Sequence, residues 1–134
     1  MIIAVDFDGV ICDCDFQEGI EGAFETLKYA KSLGHKLILW TSKSERYLVN
    51  AVEFCADHGV VFDAINANAP NSPWYCHPKI HADLFLDDKS FPPFSGWKEF
   101  EAYLRKKKLE DDFGRPMELE EFNERIYRVQ AEQS

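Results

Sequence analysis

Short apolar runs alternate along most of the chain with longer stretches of helical periodicity. Ile2 to Val5 is an uninterrupted apolar run rich in β-branched residues, the pattern of a strand buried on both faces. The stretches "KLILWT" at 36–41, "VVFDAIN" at 60–66 and "ADLFLDD" at 82–88 predict three more strands. After a loop at 9–17, Ile20, Phe24, Leu27, Ala30 and Leu33 recur at helical spacing. This predicts a helix from Glu18 to Leu33, with Gly34 as its stop. Leu48, Ala51, Val52 and Cys55 form the stripe of a second helix that runs to about His58. Ser42 or Ser44 is placed to cap it, and Gly59 ends it. Residues 67–78 and "FPPFSGW" at 91–97 read as loops, and a further helix is predicted over 97–108. Strands alternating with helices predict an α/β fold: a three-layer, Rossmann-like, mostly parallel sheet. Right-handed crossovers would put helices on both of its faces.

The last part of the chain follows another pattern. "KKKLEDD" at 106–112 is a basic run followed by an acidic one, as on a solvated helix end, and Gly114 and Pro116 then break the chain. From Glu118 onward, Phe122, Ile126 and Val129 make a narrow apolar stripe at spacings of four and three. The expected division is a catalytic-type core at 1–112 and an amphipathic helical extension at 113–134. That extension would pack on its own domain or form a homo-oligomer contact.

Charge and length narrow the classes of partner. A chain of 134 residues suits one domain with one core. Its net charge of −9 repels a phosphate backbone, so broad nucleic-acid binding is not expected. The longest purely apolar runs, such as "LILW" at 37–40, are far below the roughly 18–20 residues that a membrane span needs. No basic N-terminal region precedes Asp6, so neither a signal peptide nor a membrane contact is expected and the cytoplasm is the expected location. The four cysteines are then expected to be reduced, with Cys55 in the core.

In an open α/β sheet, ligands bind outside the carboxyl ends of the strands. The first strand delivers Asp6 and Asp8 there, the second Thr41 and Ser42, and the fourth Asp87 and Asp88, with Lys79 just before it. Single aspartates often cap helices or fill loops, but two pairs directly after buried runs call for a cation. Hard carboxylate oxygens from several strands suit Mg²⁺, with Asp87 holding it and Asp88 in support. Alternate side chains of a strand share a face, so Asp6 and Asp8 are placed to point toward the site while Phe7 points away. One such carboxylate can attack phosphorus, and the other can protonate a leaving oxygen and later deprotonate water. Gly9 allows a sharp bend and a close approach of backbone amides to a phosphate. Thr41 and Ser42 would donate to phosphoryl oxygens, and Lys79 would offset the negative charge. Lys43, near Thr41, is the alternative lysine.

These residues, "DFDGV" at 6–10, "LILWTS" at 37–42, Lys79 and "LFLDD" at 84–88, resemble the four motifs of the haloacid dehalogenase superfamily, in that family's order. The resemblance covers about residues 1–90 and is greatest to small phosphatase-like members. It implies that Asp6 is the nucleophile and Asp8 the general acid/base. It also implies a Mg²⁺ held by the side chains of Asp6 and Asp87 and the backbone carbonyl of Asp8. Dehalogenase members lack an acid at the position of Asp8, so phosphoryl transfer is the implied chemistry. Some members carry a further acidic residue a few positions after the last pair. "DDKSFPPFSGW" has none, which leaves that role to Asp88.

The family's cap domain has no room in the gaps after Gly9 or after Asn66, so a capless core is expected. An open site of that kind suits a small phosphate ester or a phosphorylated macromolecule. Trp74, Tyr75 and His77 either roof the site or pack as loop residues. Cys12, Cys14, Cys76 and His77 fall in two loops at one sheet edge, where a Cys₃His zinc site is conceivable. The Cys-x-Cys spacing and adjacent Cys-His ligands speak against it. The leading expectation is a Mg²⁺-dependent phosphohydrolase. The alternatives are a non-catalytic metal- or phosphate-binding protein on the same fold and a related phosphoryl- or phosphonate-processing enzyme.

Overall fold

The computed structural model describes residues 1–13, 18–70, 79–114 and 117–133. Two compact units make up the chain, Met1–Leu104 and Arg105–Ser134. The first unit holds a four-stranded sheet built from β1 (Ile2–Val5), β2 (Lys36–Leu39), β3 (Ala64–Ile65) and β4 (Leu84–Leu86). The strand order is β3-β2-β1-β4, and every pairing is parallel. This is a small α/β, Rossmann-like fold, and the described residues include no cap. The helices are α1 (Ala23–Ser32), α2 (Glu45–Asp57), α3 (Trp97–Gly114) and α4 (Leu119–Gln133).

Register explains how the apolar runs are used. Ile3 pairs with Leu37 and Leu84, and Val5 pairs with Leu39 and Leu86, so these six side chains share one face. They join one core with Phe24 and Leu27 of α1, Ala51 and Cys55 of α2, and Trp97 and Phe100 of α3. Ala4 and Ile38 point to the other face, where Ala69 and Ile80 complete a smaller cluster. Helices were expected on both faces; among the described residues, all three helices that reach the sheet share one. The strand order supplies the reason. β1 to β2 and β2 to β3 step in the same direction, so their right-handed crossovers, α1 and α2, fall on one side. The connection that must return past β1 to reach β4 is the segment 66–83, and its described residues, Ala69, Ile80 and Ala82, cover the second face.

The strands are shorter than the apolar runs because polar side chains take over the ladder at their ends. The Asp63 carboxylate accepts from the Leu37 amide (2.7 Å) while the Asp63 amide donates to the Leu37 carbonyl (2.8 Å). Asp83 makes the same double link to Ile2, at 2.7 Å in each direction. Each pair replaces one backbone rung with a side-chain rung of similar strength.

Helix bounds also differ from the sequence expectation. α1 begins at Ala23 and not near Glu18, because Gly22 is left-handed and Ile20 is already committed to Ile11 through its amide (2.7 Å). Its end at Gly34 is as expected. The amide of His35 donates to the Ala30 carbonyl and that of Gly34 to Lys31, and the same pair of bonds recurs at Gly59 and Val60 after α2. Ser44 stands at the start of α2 but makes no side-chain cap. α3 continues past residue 108 to Gly114, because Lys107–Asp111 and Lys108–Asp112 pair at the i,i+4 spacing that supports a helix. In the second unit, α4 carries the expected stripe, and none of its side chains is buried. No described helix is long and apolar enough to cross a membrane.

Candidate functional site

Parallel pairing sets the carboxyl ends of all four strands side by side, and the polar residues that follow them line one cleft of about 780 Å³. Asp6, Asp8, Thr41, Ser42, Asp87 and Asp88 all face it, as expected from the strand ends. The backbone just past the strands keeps the sheet's spacing. The Asp6 amide donates to the Leu86 carbonyl (3.0 Å) and the Trp40 amide to the Val5 carbonyl (2.9 Å). Phe7 points the other way and is fully buried, so the alternation expected of Asp6-Phe7-Asp8 is realised.

The two aspartates of this triplet have different surroundings. Carboxylate oxygens of Asp6, Asp87 and Asp88 lie within 4.8 Å of one another. Burial first, and then the neighbouring Asp87, Asp88 and Asp8 charges, together push the Asp6 carboxyl up to about 6. The hydrogen bond from the Phe7 amide to Asp6 Oδ1 (2.9 Å) works in the opposite direction. Asp8 instead faces a cation: its Oδ1 lies 3.4 Å from Lys43 Nζ. Lys43 also sits over the Phe7 ring, 5.7 Å from its centroid.

The donor set fits Mg²⁺. All three donors are hard carboxylates, and they lie within 4.8 Å of one another, near enough to converge on one octahedral ion with bonds of about 2.1 Å. Asp87 is held in place by its neighbours. Its Oδ1 accepts from the Lys89 amide (2.9 Å), and its carbonyl accepts from the Phe94 amide and the Ser90 hydroxyl, both at 2.9 Å.

Gly9 closes the turn after Asp8. The Phe7 carbonyl accepts from the amides of Val10, Ile11 and Cys12 at 3.0–3.3 Å, which folds the chain back sharply, and Gly9 takes φ +79° to do so. A Cβ at Gly9 would lie 2.5 Å from Asp88 Oδ2 and 3.0 Å from its Cγ, both within contact range. Glycine is therefore needed twice, for the left-handed backbone and for Asp88 to reach Asp6. Gly9→Ala should lose about 1–3 kcal/mol of stability from backbone strain alone. The added methyl should also push Asp88 away from Asp6, which would weaken binding of a cation held between them. Urea unfolding and a Mg²⁺ titration check both, and unchanged values in both would show that this close packing is not needed. Beyond the turn, the Trp97 indole N–H donates to the buried Val10 carbonyl (2.7 Å), which fastens α3 to the loop that carries Asp8 and Gly9.

Thr41 is set by its neighbours. Its Oγ1 accepts from the Lys43 amide (3.1 Å), which leaves the hydroxyl proton for an acceptor in the cleft. Lys79, preferred in the sequence as the charge-offsetting lysine, is exposed and is not among the residues lining the cleft. Lys43, the alternative, reaches Asp8, although it too is not among the cleft-lining residues. Trp40, Asn66 and Lys89 also line the cleft and were not singled out by sequence reasoning. Asn66 was legible by the rule that found the others, since it is the polar residue directly after the third apolar run.

The cysteines divide in the same way. Cys55 is buried as expected, which pushes its thiol up to about 12. Cys12 is buried in the core, with its thiol donating to the Glu18 carbonyl at 3.3 Å. Cys14, Trp74, Tyr75, Cys76 and His77 lie outside the described residues.

No protein-family model matches the chain, and no curated protein matches it. A solved structure does: a conserved protein from Bacteroides thetaiotaomicron. The two chains are 34% identical, with a TM-score of 0.71, over 87% of this chain and 98% of that one. At that identity and coverage, this chain belongs to the same family as the conserved Bacteroides thetaiotaomicron protein.

Proposed function

We propose that the protein is a Mg²⁺-dependent phosphohydrolase of the haloacid dehalogenase type, acting in the cytoplasm on a phosphomonoester through an aspartyl-phosphate at Asp6. The observation that carries this reading is the division of labour between Asp6 and Asp8. Asp6 belongs to a three-carboxylate cluster, while Asp8, two residues on, is turned toward Lys43. A site that only held a cation would have no use for a second aspartate facing the cleft away from that cluster.

The side chains of Asp6, Asp87 and Asp88 would hold the Mg²⁺, together with the Asp8 carbonyl that the resemblance adds. When bound, the ion offsets the negative charge that carboxylates and phosphoryl group bring together. The steps belong to the chain's own residues. An Asp6 carboxylate oxygen attacks phosphorus as the bond to the ester oxygen breaks, and Asp8 gives its proton to that leaving oxygen. Asp8, now a carboxylate, then takes a proton from water. The water oxygen attacks the same phosphorus, the bond to Asp6 breaks, and inorganic phosphate leaves with Asp6 restored. Thr41 and Ser42 donate hydrogen bonds to the phosphoryl oxygens, Gly9 allows backbone amides to approach them, and the lysines supply positive charge. In this role Lys43 is already within reach of Asp8, and Lys79 would have to turn inward.

The test is a panel of phosphate esters with Mg²⁺, wild type beside Asp6→Asn. Turnover of at least one ester by the wild type and none by the variant supports the reading. Equal turnover by both would overturn the aspartyl-phosphate at Asp6, and no turnover by the wild type transfers the site to the non-catalytic alternative.

A further inference from the structure

We infer that Asn66 is a positioning residue for Thr41, clamping its peptide groups so that its hydroxyl meets the phosphoryl group; this rests on the phosphohydrolase reading. β2 and β3 pair through Ile38–Ala64 and Leu39–Ile65, and the Asn66 amide adds one more rung to the Leu39 carbonyl (2.8 Å). There the backbone ladder stops, because Asn66 turns into the left-handed region at φ +51°. Thr41, which needs the next rung, receives it from the Asn66 side chain. Asn66 Oδ1 accepts from the Thr41 amide (2.8 Å), and Asn66 Nδ2 donates to the Thr41 carbonyl (2.9 Å).

Only asparagine meets all three demands. It tolerates a left-handed backbone better than other side-chain-bearing residues. It offers an acceptor and a donor on one short side chain. Aspartate would set an oxygen against the Thr41 carbonyl, and glutamine would be one carbon too long. On the far side the chain is held at Trp40, whose amide donates to Val5. Thr41 is thus fixed from both neighbouring strands, and the Lys43 amide occupies a lone pair of its hydroxyl. Trp40, Thr41 and Asn66 all line the cleft that Asp6 and Asp8 share.

A residue that acts through Thr41 should lose its effect once the Thr41 hydroxyl is gone. The experiment is calorimetric titration of inorganic phosphate, in the presence of Mg²⁺, into wild type, Asn66→Ala, Thr41→Ala and the double variant. Hydrolysis of an aryl phosphate is followed alongside, and Asn66→Gly replaces the alanine variant if that one does not fold. Asn66→Ala should weaken phosphate binding about fivefold when Thr41 is present, as expected for one or two lost hydrogen bonds. In the Thr41→Ala background the further loss should be under about 1.5-fold, so the two effects depart from additivity by about threefold or more, beyond the scatter expected of independent sites. Melting temperatures should fall equally in both backgrounds. Equal loss of phosphate affinity in both backgrounds, or no loss in a folded variant, would overturn the inference while leaving the phosphohydrolase reading intact. A wild type that neither binds phosphate nor hydrolyses any ester would overturn both.

Discussion

Asp6→Asn should abolish phosphoester turnover, by at least about a thousandfold, and should make the Mg²⁺-free protein more stable. The first effect follows from chemistry. An amide oxygen is a poor nucleophile toward phosphorus, and Thr41, Asp8 and Gly9 can polarise a phosphate without replacing the missing attack. The second follows from the cost of holding the charge. Asp6 is half-buried, and burial together with Asp87, Asp88 and Asp8 raises its carboxyl to about 6, so above that pH its charge opposes folding. Replacing it with a neutral side chain of the same shape removes that opposition. In EDTA at neutral pH the variant should therefore melt higher than the wild type. On adding Mg²⁺ the wild type should gain more than the variant, because the ion binds only the folded cluster and the variant offers one carboxylate fewer. Melting curves in EDTA and in Mg²⁺ check this. A variant that melts lower than wild type in EDTA would show that the three carboxylates are not under mutual strain.

Asp8→Asn should separate acid/base work from metal binding. The Asp8 side chain lies outside the three-carboxylate cluster, so Mg²⁺ affinity should stay close to that of the wild type. Turnover should fall by about a hundred- to ten-thousandfold, the usual range for a positioned proton donor and acceptor. The fall should depend on the leaving group. An aryl phosphate leaves as a stable phenolate and needs little protonation, so its first step should be spared relative to an alkyl phosphate. Its second step still needs a base for water, so the aspartyl-phosphate should accumulate and give a burst of phenol. Rapid-quench kinetics on one aryl and one alkyl ester would read both effects. Equal losses on the two esters with no burst would remove Asp8 from the proton-transfer role.

Most of the sheet and most of the cleft were legible because each depends on local pattern. β1 reads directly from Ile2 to Val5, and its register then fixes which side of the strand end Asp6 and Asp8 occupy. The ends of β2 and β4 place Thr41, Ser42, Asp87 and Asp88 by the same reasoning. What was not legible depends on contacts made across the fold. The position of Asn66 at a strand end was legible, but its link to Thr41 was not, because a left-handed backbone and two side-chain bonds have no periodic signature. The approach of Lys43 to Asp8 depends on where α2 starts relative to β1, and spacing in the chain says nothing of that distance. The late start of α1 came from Gly22 and the prior commitment of Ile20, which outweighed an apolar stripe continuing back to residue 20. The side taken by the helices followed from strand order, and alternation of strands and helices leaves that order open.

The central claim, that Asp6 carries the phosphoryl group during turnover, has a direct measurement. Protein reacting with an aryl phosphate and Mg²⁺ is quenched in acid and digested, and the peptide containing Asp6 is analysed by mass spectrometry, with Asp8→Asn used to raise the intermediate. One added phosphoryl group is expected, located on Asp6, stable in acid, released by hydroxylamine, and absent from Asp6→Asn. Turnover with no phosphoryl group on Asp6, or with the group on another residue, would contradict that claim.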